Sequence, residues 1–216
     1  ERYWKLRRET DKLRRQIDTR TGTVARIFDR VLDVLRSLDY VRVDEHGEAT
    51  LTDAGRTMRR IYGERDLLVA ESLRLGLWDD LDAASLAALA SCMVYEPRRD
   101  DGVGEHGIPR GKLRAALEAT GDLWARLDDL ERDSRLPGSE PLAPGLARAM
   151  QSWSRGATLD RVLSEADMAA GDFVRVTKQT IDLLDQLSIV GDGELGRTAR
   201  QALESVRRGI VAYSTA

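Results

Sequence analysis

Between Gly171 and Leu187 the chain carries five polar side chains whose types and spacing could hold a strand of nucleic acid. Arg175, Gln179, Asp182 and Gln186 fall at i, i+4, i+7 and i+11, which at 3.6 residues per turn is one ridge, and Lys178 stands beside it. Arginine and lysine pair with phosphate, while glutamine and aspartate offer hydrogen bonds to sugar, phosphate or base edges. Mixed contacts of this kind hold a strand without gripping it, as movement along that strand requires. On the other side, Val174, Ile181 and Leu184, with Phe173, Val176, Thr180, Leu183 and Leu187, form a wide apolar stripe that demands burial in a helical bundle. An ordinary amphipathic helix with a solvated face has the same pattern, and periodicity alone does not separate the two.

Other chemistries find less support. The one cysteine, Cys92, sits in the apolar run Leu86 to Val94, which reads as a buried structural thiol and fits a reducing, cytoplasmic compartment. His46 and His106 both lie in Gly-containing polar turns, too few ligands for zinc. Asp79, Asp80 and Asp82 resemble a metal or acid–base cluster, but acidic residues ahead of a helix are accounted for by its dipole. The sequence has no Gly-x-x-x-x-Gly-Lys-Ser/Thr loop, no Asp-Glu-x-His segment, and no Ser/His/Asp or Cys/His set with workable spacing, so no catalytic residue and no cofactor is expected here. A third of the 216 residues are charged in near balance, net −3, which argues against a free-standing nucleic-acid binder held by a strong positive field. No apolar run approaches the roughly 18 residues that would span a membrane.

The elements that must position the ridge are mostly helical. Lys5-Leu6-Arg7-Arg8 recurs seven residues later as Lys12-Leu13-Arg14-Arg15, so residues 1–20 read as the end of a stalk or coiled-coil helix. With no initiator Met, the chain reads as a piece of a longer polypeptide. Residues 21–62 read as a winged helix: Thr23 as N-cap, a helix carrying Val24, Ile27, Phe28, Val31, Leu32, Leu35 and Leu38, a hairpin turning at Asp44 to Gly47, and a helix from Asp53. Residues 63–216 read as an all-helical bundle, with helices over Leu67–Leu75, Asp82–Tyr95, Lys112–Arg132, Leu146–Gly156 and Thr158–Ser164, and a last one over Gly196–Tyr213. A polar loop spans Arg98–Arg110. Trp153 could stack a base or brace the bundle as a buried indole.

In order and spacing these blocks resemble the DSHCT region, the C-terminal winged-helix and helical-bundle module of the superkiller and exosome-type superfamily 2 RNA helicases. The resemblance is carried by Leu38-Asp39-Tyr40-Val41 leading to Leu51-Thr52-Asp53-Ala54-Gly55-Arg56, by Leu67 to Leu73, by Gly76-Leu77-Trp78-Asp79-Asp80-Leu81, and by Leu86 to Glu96. Trp153 with Gly156, Gly171 to Arg175, and Arg207 to Val211 complete it. Arg20 to Val31 is similar to the actinobacterial, HelY-like branch in particular. The resemblance implies that residues 171–187 form the family's ratchet helix, which touches the translocating strand beneath two RecA-like domains. On that reading Arg175, Lys178, Gln179, Asp182 and Gln186 bind the nucleic acid, and Gln179 stands where relatives often carry a second basic residue. The resemblance further implies a parent that binds ATP and magnesium on RecA-like domains outside this chain. Its partners would be single-stranded RNA, with DNA as an alternative, those RecA-like domains, and an RNA-degrading nuclease. Two rivals have other consequences. A DNA-binding regulator would need a basic helix before the hairpin, where Asp29, Asp33 and Asp39 offset Arg30 and Arg36. A stand-alone protein-interaction module would use the mixed-charge surface instead.

Overall fold

The apolar repeat after Gly22 becomes helix α1, residues 22–37, in the computed structural model, which describes residues 22–97 and 108–213. The expected stalk helix over 1–20 and most of the 98–110 loop lie outside the described residues. Asp39, in the left-handed region at φ 58°, turns the chain from α1 into the hairpin. Strands β1 (Val41–Val43) and β2 (Ala49–Leu51) pair antiparallel with Val41 opposite Leu51 and Val43 opposite Ala49. The turn between them is held by the Asp44 carboxylate, which accepts from the amides of His46 and Glu48 at 2.9 and 2.8 Å, and Gly47 supplies the φ of 82°. Thr52 closes the hairpin by donating its hydroxyl to the Asp39 carbonyl at 2.7 Å. A helix, a hairpin and helix α2 (Asp53–Met58) thus follow one another in the expected order.

By contacts the chain divides into two compact units, residues 22–52 with 128–139, and residues 53–127 with 140–213. In the first, Tyr40 is buried beside Val34 and Val41, and Arg30 donates to the Arg135 carbonyl at 3.0 Å. The first three turns of α1 nevertheless leave Val24, Ile27, Phe28 and Val31 exposed.

The second unit is built round a helix with no polar face. In α4 (Ala83–Val94) every residue from Ala84 to Met93 is buried, the mark of a helix surrounded by others. Asp82 caps it, accepting from the Ser85 amide at 2.7 Å. It packs against α6 (Ala147–Ser154), α8 (Ala170–Val190) and α9 (Gly193–Val206). The preceding helix α3 (Asp66–Arg74) leads into a turn where Trp78 is wholly buried and donates its indole N–H to the Thr120 hydroxyl at 3.0 Å. Thr120 belongs to α5 (Lys112–Asp133). A short 3-10 turn (Pro144–Leu146) enters α6, and α7 (Leu159–Ala166) ends where Asp167 takes up the left-handed region at φ 46°.

The expected last helix over Gly196–Tyr213 is two helices, α9 and α10 (Gly209–Tyr213). Its break has a tertiary cause. The Val206 carbonyl, which an unbroken helix would give to Ile210, accepts instead from the Trp153 indole N–H at 2.9 Å. Arg208 then reaches back, donating to the carbonyls of Trp153 and Ala157, both at 2.6 Å, and Gly209 turns the chain with φ 51°. Mainly helical architecture with one small hairpin ahead of a helical bundle is therefore as the sequence predicts. Among the described residues no helix is long and apolar enough to cross a membrane.

Candidate nucleic-acid interface

Helix α8 carries the ridge, and its burial follows the predicted stripe. Phe173, Val176, Thr180, Ile181, Leu183, Leu184 and Leu187 are buried, while Val174 is half-buried. Thr177, at an otherwise polar position, is also buried and donates to the Phe173 carbonyl at 2.7 Å; Thr180 does the same to Val176 at 2.9 Å. These back-bonds let two hydroxyls sit in the core with their hydrogen bonds made. Arg175, Gln179 and Asp182 are exposed; Lys178 and Gln186 are half-buried. The helix therefore places all five predicted residues along one side of α8, over about 16 Å of its axis at 1.5 Å per residue.

The five are not equivalent. Arg175 is exposed and lies 3.9 Å from the half-buried Asp172 carboxylate, at the outer limit of an ion pair. Gln186 has a structural tie: its Oε1 accepts from the Tyr62 amide at 2.7 Å, pinning the segment between α2 and α3 to α8. Gln179, Asp182 and Gln186 border a cavity of about 260 Å³ whose other walls include Tyr62, Arg65 and Met93. Arg65 is fixed there by donating to the Glu140 and Pro141 carbonyls at 2.7 and 3.2 Å. Burial pushes its pKa down, against the raising influence of Glu64, Glu96 and Glu140. Next to it, burial pushes the Asp66 carboxyl up.

Trp153 does not face a strand. It is 2% exposed, stands edge-on to Phe173 at a centroid distance of 5.6 Å, and is covered by the Arg208 guanidinium at 3.6 Å. The indole is a brace between α6, α8 and the end of α9. The exposed aromatic beside the ridge is instead Tyr62, 75% exposed. Sequence reasoning passed over Tyr62 and Arg65; their one signal was an aromatic outside the helical repeat in the polar segment Tyr62-Gly63-Glu64-Arg65.

Cys92, Asp80 and Asp82 have structural partners, and His106 lies outside the described residues. Cys92 is buried, its thiol 3.3 Å from the Ala88 carbonyl. Asp82 serves α4 as cap and pairs with Arg155 at 3.5 Å; burial would raise its pKa, but the Ser85 and Arg155 contacts hold it below the usual carboxylate range. Asp80 pairs with Lys112 at 3.7 Å in solvent. Among the described residues no three His, Cys, Asp or Glu side chains converge as a metal site.

Residues 48–214 match the family described as DSHCT (NUC185) domain. The chain belongs to the DSHCT family. This DSHCT chain is 40% identical over 223 residues to the "Probable helicase HelY" of Mycobacterium leprae, an alignment covering 98% of the chain and 24% of that protein. The protein of the same name from Mycobacterium tuberculosis is 39% identical over 226 residues, again covering 98% and 24%. The human "Exosome RNA helicase MTR4" is 25% identical over 180 residues, covering 76% of the DSHCT chain and 17% of that protein. The DSHCT chain thus spans about a quarter of the length of these two HelY relatives.

Proposed function

We propose that this chain is the C-terminal portion of an ATP-dependent RNA helicase, in which α8 lines the path of a single strand and the bundle braces RecA-like motor domains. The reading is carried by one observation: Arg175, Lys178, Gln179, Asp182 and Gln186 lie together along the outer side of a helix whose other side is locked into the core of a DSHCT bundle. Names of relatives that describe helicases support the parent activity. ATP and magnesium belong to the motor domains, and the chain itself hydrolyses nothing. Single-stranded RNA is the substrate of the ridge, and an RNA-degrading nuclease is the partner downstream, in the cytoplasm. The segment 21–62 acts as a winged helix that packs against protein. Its exposed Val24, Ile27, Phe28 and Val31 form an apolar face suited to a motor domain and unsuited to DNA phosphates.

The ridge contacts the moving strand, so its loss uncouples movement from fuel. Arg175→Ala in the full-length helicase slows unwinding by roughly fivefold, the effect of losing about 1 kcal/mol of charge-assisted contact, and lowers RNA-stimulated ATP turnover less. Duplex unwinding and phosphate release measured on the same preparation check this. Equal losses in the two rates would refute the role assigned to α8.

A further inference from the structure

The cavity beside the ridge has the chemistry of a base-binding pocket. Its lining combines the buried apolar residues Val69, Met93 and Leu183 with the exposed polar residues Gln179 and Asp182. Tyr62 stands at its lip, 75% exposed, on a backbone whose amide is bonded to Gln186 and therefore to α8. On the wall, the planar Arg65 guanidinium is held by two carbonyls. At about 260 Å³ the cavity lies below the ~300–1,000 Å³ of pockets that take drug-sized ligands, leaving room for one flat ring system. Single-stranded RNA is recognised by bases that leave the stack, lie on aromatic or guanidinium planes, and present their edges to polar side chains. This cavity supplies both planes and the polar edge.

Which base fits is decided by the carboxylate. A carboxylate offers two acceptor oxygens, so Asp182 is matched by a base edge rich in N–H. Guanine presents N1–H and an N2 amino hydrogen side by side, matched to two carboxylate oxygens, with O6 adjacent to accept from an amide such as Gln179. Adenine, cytosine and uracil each present a single N–H group on that edge. Glu64 and Glu96 also border the cavity and repel phosphate, whereas Arg175 and Lys178 lie on the α8 ridge toward its N-terminal end. Base inward and phosphates along the basic residues is the orientation these charges favour.

We infer that this cavity takes one base turned out of the strand lying on α8, that Tyr62 stacks it, and that Asp182 makes the site prefer guanine. The inference rests on the reading of α8 as a strand-binding helix. It is tested by equilibrium fluorescence anisotropy of the full-length helicase, without ATP, on a labelled uridine 12-mer and on the same oligomer with one central guanosine. The guanosine oligomer binds about tenfold tighter, the discrimination of one bidentate contact. Asp182→Asn brings the ratio of the two affinities close to one. Tyr62→Ala weakens both oligomers, and Tyr62→Phe restores them. Equal affinities in the unaltered helicase, or a ratio that survives Asp182→Asn, overturn the pocket; a cavity filled by a protein segment gives that result. If Arg175→Ala then still weakens both oligomers alike, strand binding by α8 stands without the pocket. Failure of the helicase to bind either oligomer removes both.

Discussion

Cys92 and Trp153 are the residues to which the sequence assigned reactive or stacking alternatives, and both are spent on the core. Burial pushes the Cys92 thiol from an ordinary 9.0 up to about 12. A thiol pKa raised by folding ties stability to pH in one direction. Below about 9 both states keep the proton; above it the unfolded chain loses the proton while the folded chain still holds it. Stability therefore falls as pH rises from about 9 toward 12. Between pH 8 and pH 10.5 this single group removes about 2 kcal/mol. Urea midpoints of the protein and of Cys92→Ala at those two pH values isolate the contribution, because the other titrating groups cancel in the difference. The unsubstituted protein loses about 2 kcal/mol more than the variant; an equal loss would mean that the thiol is open to water. Trp153 is committed more fully, with its indole N–H on Val206, its ring edge-on to Phe173, and Arg208 across its face.

Among the elements, α8 was legible because its two faces differ in every turn, and hydrophobic spacing alone fixes which side is buried. The block around Leu86 to Val94 was legible for a different reason, being too apolar to lie anywhere but inside. What the sequence hid were contacts made across the chain. Periodicity runs on through Arg207 and Arg208 to Tyr213, but the Trp153 indole, some fifty residues away, and the Arg208 amide take the carbonyl that would have continued the helix. Tyr62 was hidden similarly: its place beside the ridge depends on a bond from its amide to Gln186, which spacing shows only as a member of the ridge. The α8–α9 connection is equally local in sequence and tight in space. A Cβ on Gly196 would stand 2.5 Å from the Gly191 carbonyl oxygen, and one on Gly191 would stand 2.6 Å from that of Leu187. Both obstacles are backbone, which cannot rotate aside. Gly196→Ala should therefore cost about 1–3 kcal/mol, although alanine is the better helix former. A thermal or urea melt of the variant decides this, and an unchanged or raised midpoint would show that the turn can open.

For the whole molecule, the decisive quantity is how much protein the native product contains. The bundle buries its own core, yet the strand-binding role proposed for α8 asks for two things beyond it: a strand on the ridge, and a motor to move that strand. The apolar face at Val24, Ile27, Phe28 and Val31 adds a third, since four large hydrophobic side chains in successive turns of one helix are an unusual surface to leave in water. A motor supplied by the same polypeptide answers all three, and the relatives give its scale, because the chain matches about 24% of their length. The native product should then be about four times as long as the 216 residues here. It should also carry a Gly-x-x-x-x-Gly-Lys-Ser/Thr loop and an Asp-Glu-x-His segment in the added part, as ATP-driven movement requires. An antibody raised against the bundle, used on cell extract and followed by peptide sequencing of the detected band, measures both. A band near the length of this chain would leave the ridge without a motor. The exposed face of α1 would then be the better guide to function, as the contact surface of a stand-alone interaction module.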